Sequence, residues 1–187
     1  MLALVDAVAT GEIPDSQVTI VISDRADAAG LEKAAERGVE TVVVERRGRN
    51  REEHDAEIIA ELQSRGVELV CLAGYMRLLS PLFVASFPNK IINIHPSLLP
   101  KFPGLEVHER VLAAGETVSG CTVHYVNDEL DAGEVILQRE VQVLTDDTPE
   151  TLAERILERE HEIYVRAVKL LAAARGNTSD NESAQGG

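Results

Sequence analysis

The amino-acid sequence predicts an α/β domain built on a mostly parallel sheet flanked by helices. Two observations lead to this class. In the first half of the chain, short runs rich in β-branched residues alternate with segments of helical periodicity, which is typical of parallel strands joined by crossover helices. After residue 116 two strand-like runs follow each other directly, and a long helical segment comes last. The second half is therefore predicted to be β-rich and to end in a long helix.

The predicted elements of the first half follow one another regularly. The chain opens on an amphipathic helix that ends at Gly11. Asn50, with Glu53 three residues later, and Ser80, just before Pro81, have the pattern of helix N-caps. The predicted strands are VTIVIS (18–23), TVVVE (41–45), ELVCLAG (68–74) and IINIH (91–95), and the predicted helices between them are DAAGLEKAAERG (27–38), NREEHDAEIIAELQSRG (50–66) and SPLFVASF (80–87).

In the second half, VSGCTVHYV (118–126) and EVILQREVQVL (134–144) are predicted as two strands joined by NDELDAG (127–133). Thr148 is the expected N-cap of the final helix. We expect one domain over residues 1–174. The segment from 175 to 187 is small and polar, and it is predicted to be a disordered tail.

Composition narrows the class of function. The formal net charge is −14 at pH 7, and binding to phosphate backbones needs clustered Lys and Arg, so nucleic acid is not expected as a partner. No apolar run could span a bilayer and the opening does not resemble a signal peptide. We therefore expect a cytoplasmic protein without a membrane partner. Cys71 and Cys121 lie in apolar strand-like runs and are interpreted as reduced core thiols.

Asn93 and His95 are the leading candidates for chemistry. They are two apart in a predicted strand, so their side chains share one face of the sheet. The carboxyl ends of parallel strands line the crevice where ligands bind. A single histidine at a strand end is more often structural, but Pro96, Pro100 and Pro103 stiffen the segment that follows. Rigid placement of a polar pair favours a functional site.

Asp131 is the second candidate. It precedes Ala132 and Gly133 in a turn that would direct its carboxylate back toward the sheet. A carboxylate near His95 favours the imidazolium form, and an imidazolium beside Asn93 could stabilise an oxyanion and donate a proton. Acidic residues in a turn are also typical of a solvated loop, so this pattern alone leaves both interpretations open.

Other classes of site have weaker support. The five histidines lack metal-ligand spacing such as H-E-x-x-H, so no metal site is predicted. The chain has no G-x-S-x-G nucleophile elbow, and it has neither the Walker nor the dinucleotide-binding glycine motif.

Three segments together give a specific resemblance: AGYMRLLSP (73–81), INIHPSLLPKFPGL (92–105) and GCTVHYVNDELDAGEVILQ (120–138). With them the chain resembles the phosphoribosylglycinamide formyltransferases, folate-dependent enzymes of purine synthesis, from about residue 2 to residue 170. The resemblance implies a Rossmann-like formyltransferase fold. It also implies transfer of a formyl group from the cosubstrate 10-formyltetrahydrofolate to the amine of 5'-phosphoribosylglycinamide, without a metal.

The resemblance further implies residue roles. Asn93 and His95 would stabilise the tetrahedral oxyanion and move the proton, and Asp131 would keep His95 charged. Glu160 would contact the ribonucleotide. Small molecules are then the expected partners of a monomer or homodimer, and His108 and His124 are interpreted as supporting or structural. Folate binding is implied for Arg51, Met76, Arg77, Leu78, Leu79, Asn93, Asn127, Asp128, Glu129, Leu130 and Asp131.

The sequence departs from the family pattern at its start. The family opens with a central strand and a Ser-Gly-x-Gly-Ser-Asn loop that binds the substrate phosphate, and this sequence begins just after that loop. We therefore expect an N-terminally truncated domain without its first strand and glycine loop. The alternatives are a 10-formyltetrahydrofolate hydrolase, an initiator-tRNA formyltransferase, or an inactive folate- or nucleotide-binding paralogue. The hydrolase and the tRNA enzyme usually carry a further domain, for which 187 residues leave little room.

Overall fold

The computed structural model describes residues 1–183, with side chains described over 1–174. Helices and strands alternate through the first half, and two long strands and a long helix complete the second. The order of elements is α1 (Leu2–Ala9), β1 (Ile20–Ser23), α2 (Ala29–Ala35), β2 (Glu40–Val43), α3 (Arg51–Ser64), β3 (Val70–Leu72), α4 (Pro81–Ser86), β4 (Ile91–His95), α5 (Val107–Ala113), β5 (Val118–Tyr125), β6 (Val135–Gln142) and α6 (Pro149–Ser183).

Within the described residues the strands form two hydrogen-bonded groups. β1 and β2 pair in parallel, and β3, β4, β5 and β6 form a four-stranded sheet in that order. In the larger sheet β3 and β4 are parallel, whereas β4, β5 and β6 are successively antiparallel. The parallel first half and the β-rich second half are confirmed, and β5 and β6 form the predicted hairpin.

The two faces of the larger sheet pack against different apolar clusters. Ile92 belongs to a cluster built mainly on α1, α5 and α6, together with Cys121 and Val123 of β5. Ile91 belongs to a second cluster with residues of α3 and α4. Because neighbouring strand residues point to opposite faces, Asn93 lies on the same face of β4 as Ile91.

The local signals that end and begin elements are largely as predicted. Asn50 caps α3 in a complete capping box with Glu53. Ser80 caps α4, and its Oγ accepts a hydrogen bond from the Phe83 N–H at 3.3 Å. Thr148 Oγ1 accepts a hydrogen bond from the Thr151 N–H at the start of α6. These caps satisfy backbone donors that a helix start leaves unpaired.

Two helices differ from expectation. α5 was not predicted, because its N-cap is Glu106 in the left-handed region (φ 54°), with no side-chain cap to mark it in the sequence. α6 continues to Ser183, into the segment predicted as a polar tail from residue 175. The extension contains no proline, and its single glycine opposes a helix by only about 1 kcal/mol. Residues 184–187 of that predicted tail lie outside the described part of the chain.

No helix in the described residues is both long and apolar enough to span a bilayer.

Candidate active site

Polar side chains replace apolar ones on one face of β4 and β5. In the antiparallel register of these strands, Asn93 lies opposite His124, and His95 lies opposite Thr122. The intervening residues Ile94 and Val123 lie opposite each other on the other face. Val123 is fully buried in the first apolar cluster, and Ile94 packs against that cluster. Each strand therefore contributes one apolar face to the core and one polar pair to the site.

The structure brings Asn93, His95 and Asp131 together and adds His124 to them. His95 Nδ1 lies 3.4 Å from Asp131 Oδ2. His124 Nε2 lies 3.7 Å from Asp131 Oδ1 and 3.4 Å from Asn93 Nδ2. Both imidazole rings and the carboxylate are buried, with side-chain exposures of 7%, 2% and 9% for His95, His124 and Asp131. Electrostatic interactions among them are thus weakly screened by water.

The backbone of the 127–133 turn holds the Asp131 carboxylate in this place. Asp131 has a φ of 50°, and its Oδ2 accepts a hydrogen bond of 2.8 Å from the Gly104 N–H. A Cβ added to Gly133 would lie 1.7 Å from the Tyr125 carbonyl oxygen. The turn therefore approaches β5 so closely that only glycine fits, which directs Asp131 back to the sheet as the sequence predicted.

The two histidines of the cluster have different environments. His95 Nε2 lies 3.0 Å from the Phe102 carbonyl oxygen, and its Nδ1 faces Asp131. Each ring nitrogen of His95 therefore faces an oxygen that can accept a hydrogen bond. Burial lowers the pKa of His124, so the ring is neutral at neutral pH and carries one N–H. This N–H is on Nδ1, because Nδ1 lies 2.8 Å from the Tyr125 carbonyl oxygen, which can only accept. The Nε2 atom of His124 then carries a lone pair and no proton. His124 therefore does not neutralise the negative charge of Asp131, and that charge acts on His95.

The tautomer of His124 also orients Asn93. Because Nε2 of a neutral His124 is an acceptor, the hydrogen bond between the two side chains runs from Asn93 Nδ2 to His124. The same amide nitrogen has a second hydrogen that can donate toward a ligand. An amide hydrogen and an imidazolium at one strand end can stabilise negative charge on an oxygen.

Thr122 fixes the segment that follows β4. Its buried hydroxyl donates to the Ser97 carbonyl at 2.6 Å and accepts from the Leu99 N–H at 3.1 Å. Gln138 on β6 donates from Nε2 to the Leu99 carbonyl at 2.8 Å. The prolines were predicted to stiffen this segment; the structure adds side-chain bonds from β5 and β6.

The residues implied in folate binding lie in four places: the start of α3, the segment after β3, β4 with Asn93, and the loop after β5. Met76 and Leu78 are exposed in the segment after β3 (73% and 50%), whereas Leu79 packs against the second apolar cluster. Arg77 forms an ion pair of 2.9 Å with Asp24. Arg51 is exposed at the first residue of α3.

The loop from Asn127 to Asp131 is mostly exposed, and Asn127 Oδ1 accepts the Glu129 N–H at 3.0 Å. Leu130 and Leu105 are exposed (54% and 66%). A Cβ on Gly104 would lie 3.7 Å from Leu130 Cδ2. Gly104 and Leu130 are therefore neighbours, and Leu105, an exposed residue that the sequence did not single out, follows Gly104 in the chain.

Glu160 lies apart from this cluster, on α6. Burial raises the pKa of its carboxyl to about 7, and the amino group of Met1 acts in the opposite direction. A carboxyl with a raised pKa favours the folded state only while it is protonated. The contribution of Glu160 to the free energy of unfolding is therefore complete below pH 4.5, the usual pKa of a glutamate. It is lost as the pH rises through about 7.

We expect Glu160→Gln to remove this pH dependence. Relative to the native chain, the variant should gain stability between pH 5 and 8, which denaturant unfolding at several pH values would measure. Glu158→Gln, an exposed change on the same helix, is the matched control and should keep the native pH profile. If the free energy of unfolding changes with pH in the same way in the native chain and in Glu160→Gln, the Glu160 carboxyl does not titrate in this range.

Sequence reasoning underestimated His124 and missed the Gly104 N–H. The signal for His124 was present, because Thr122 and His124 alternate with buried Cys121 and Val123 in β5. Its position opposite Asn93 depends on strand register, which the sequence alone did not provide. Nothing in the sequence marked Gly104 as the donor to Asp131, since the two residues are 27 apart.

Among the described residues, no group of three or more His, Cys, Asp or Glu side chains is arranged to hold a metal ion. The described cysteines, Cys71 and Cys121, form no disulfide.

The fold and site define an α/β enzyme with a polar cluster at the carboxyl end of a strand. The chain belongs to the formyl transferase family, whose sequence profile matches residues 1–168.

Comparison with known proteins gives the same family. The chain is 41% identical over 180 residues to phosphoribosylglycinamide formyltransferase of Escherichia coli strain K12, covering 96% of this chain and 84% of that protein. It is 46% identical over 173 residues, or 91% of its length, to trifunctional purine biosynthetic protein adenosine-3 of Drosophila pseudoobscura pseudoobscura, and it spans only 13% of that longer protein.

Among solved structures, glycinamide ribonucleotide transformylase 1 from Symbiobacterium toebii superposes with a TM-score of 0.90 at 49% identity. The match covers 92% of this chain and 82% of that one. The predicted formyltransferase fold is confirmed.

Proposed function

We propose that this chain transfers the formyl group of 10-formyltetrahydrofolate to the amino group of 5'-phosphoribosylglycinamide, in purine biosynthesis. The observation that carries the proposal is the cluster at the end of β4, in which half-buried Asn93 lies near the buried side chains of His95 and Asp131. Its support is that the chain shares 41% identity with a phosphoribosylglycinamide formyltransferase over most of both lengths.

In the proposed reaction the substrate amine attacks the formyl carbon, and the formyl oxygen becomes an oxyanion. Asn93 donates an amide hydrogen to that oxygen, and His95 donates its Nε2–H in place of its bond to Phe102. Asp131 stabilises the imidazolium throughout. The bond between the formyl carbon and the folate nitrogen then breaks, and that nitrogen receives the proton that the amine loses. The products are tetrahydrofolate and the formylated ribonucleotide.

The other proposed contacts follow the sequence prediction. Met76, Leu78 and Leu130 supply exposed apolar surface for the folate. Folate contacts are also proposed for Arg51, Arg77, Leu79, Asn127, Asp128 and Glu129. Glu160 contacts the ribonucleotide. We propose small molecules as the partners, a cytoplasmic location, and a monomer or homodimer.

The proposal is tested by incubating the protein with both substrates and detecting the formylated ribonucleotide by mass spectrometry. We expect its formation in equal amount to tetrahydrofolate, and we expect little formate when the ribonucleotide is omitted. Rapid formate release without the ribonucleotide would instead identify a 10-formyltetrahydrofolate hydrolase. Folate binding without either product would identify an inactive paralogue.

A further inference from the structure

The segment between β3 and α4, residues 73–80, is here called the β3–α4 loop. Met76 and Leu78 project from it into solvent, with exposures of 73% and 50%. Two large apolar side chains exposed in one short loop suggest a ligand-binding surface. The loop leaves the carboxyl end of β3, the parallel neighbour of β4, and so lies at the sheet edge that carries the polar cluster.

A buried carboxylate fixes the end of this loop. Asp55, on α3, is fully buried, and its Oδ2 accepts a hydrogen bond of 2.7 Å from the Ser80 N–H. Ser80 is also fully buried and caps α4. The backbone position at which the loop joins α4 therefore depends on Asp55.

His54 holds Asp55 from the other side. Its Nε2–H donates to the Val44 carbonyl at 2.8 Å, just after β2. Its Nδ1 lies 3.6 Å from Asp55 Oδ1, and within the described residues neither of these two atoms has a hydrogen-bond partner. These two polar atoms therefore face each other inside the protein, and the imidazole is the polar neighbour of this carboxylate oxygen.

The middle of the loop also carries a buried polar group. The Tyr75 hydroxyl is a third buried polar atom without a hydrogen-bond partner in the described part of the chain. Burial, and then the charge of Asp55, raise the pKa of Tyr75. The Tyr75 ring lies 5.9 Å from the guanidinium carbon of Arg77, which pairs with Asp24 beyond β1. The loop is thus attached to the rest of the protein at Ser80, through Asp55, and at Arg77, through Asp24.

We propose that Asp55, supported by His54, is a positioning residue for folate binding, because it fixes the β3–α4 loop that presents Met76 and Leu78. This inference rests on the proposed function. Asp55 is buried beneath the loop and acts on the ligand only through it. Without the Asp55 carboxylate the loop could leave the conformation that binds folate. The apparent affinity for folate then falls in proportion to the fraction of molecules whose loop is in that conformation.

The test compares Asp55→Ala with Asp55→Asn in the full chain. For Asp55→Ala we expect the KM for 10-formyltetrahydrofolate to rise about tenfold. This rise corresponds to a loop that is in the binding conformation in about one molecule in ten. The KM for the ribonucleotide and kcat should stay within about twofold. Asp55→Asn should restore the folate KM, because its amide oxygen can accept from Ser80 and its amide hydrogen can donate to His54 Nδ1.

Asp147→Ala is the matched control. Asp147 also accepts a backbone hydrogen bond of 2.7 Å, from the Leu144 N–H, and its side chain is 2% exposed beside Arg155. It lies before α6, so its loss should lower thermal stability without changing the folate KM. Should Asp55→Ala not fold, Asp55→Glu, whose longer side chain displaces Ser80, is expected to raise the same KM.

The inference is overturned if Asp55→Ala leaves the folate KM unchanged, raises both KM values equally, or is not rescued by asparagine. Calorimetric titration with tetrahydrofolate measures folate affinity in the native chain and the variants without requiring formyl transfer. It therefore tests the role of Asp55 independently of the proposed function. If the native chain binds tetrahydrofolate but forms no formylated ribonucleotide, the proposed function fails, and the affinities of the variants still decide the role of Asp55.

Discussion

Asp131→Asn is expected to lower kcat for formyl transfer by about 100- to 1,000-fold, the range typical of a lost contribution to oxyanion stabilisation. Asparagine is nearly isosteric with aspartate, tolerates the left-handed φ of 50°, and can still accept the Gly104 N–H. The substitution therefore removes the negative charge 3.4 Å from His95 and little else. Without that charge the proposed electrostatic support of His95 during formyl transfer is lost.

Steady-state kinetics would show the loss in kcat with a folate KM changed by no more than about threefold. Asp15→Asn is the matched control, because Asp15 also has a positive φ (52°) and is exposed. It makes the same chemical change away from the polar cluster and should leave kcat unaltered. An equal effect on kcat and on folate affinity would instead assign Asp131 to ligand binding.

Gly133→Ala is expected to destabilise the fold by about 3 kcal/mol, at the upper end of the usual range for overpacking. The new methyl group would lie 1.7 Å from the Tyr125 carbonyl oxygen. That oxygen belongs to the backbone of β5 and cannot move as a side chain can. Asp131, two residues earlier, would be displaced with the turn, so formyl transfer should fall together with stability.

Denaturant unfolding and an activity assay on the same preparation would measure both effects. Gly30→Ala is the control, since its Cβ would meet only the flexible end of Met1, at 3.1 Å from Cε. Alanine favours the helix at that position by up to about 1 kcal/mol. A Gly133→Ala protein as stable and active as Gly30→Ala would contradict the close approach of the turn to β5.

The sequence predicted elements whose signals are local. β4 was predicted over 91–95 and forms over Ile91–His95, because a short apolar run ends at a proline. The capping box at Asn50 and the cap at Ser80 were equally local and are observed. α5 was missed because it starts at Glu106 through backbone conformation, without a capping side chain. Local chemistry marks element ends only where a side chain performs the capping.

The site was predictable in part for a related reason. The two-residue period of a strand places Asn93 and His95 on one face without knowledge of the fold. The position of His124 opposite Asn93 depends on the antiparallel register of β4 and β5. The bond from Gly104 to Asp131 and the ion pair of Arg77 with Asp24 join residues 27 and 53 apart. Such long-range contacts follow from the complete fold and have no local pattern.

The central claim is that His95, placed by β4 and charged through Asp131, stabilises the oxyanion formed during formyl transfer. The most direct test is the single-turnover rate of formyl transfer to 5'-phosphoribosylglycinamide, with both substrates saturating, in the native chain and in His95→Ala. We expect the variant to bind tetrahydrofolate normally and to transfer the formyl group about 100- to 1,000-fold more slowly. A rate within about threefold of the native chain would contradict the claim.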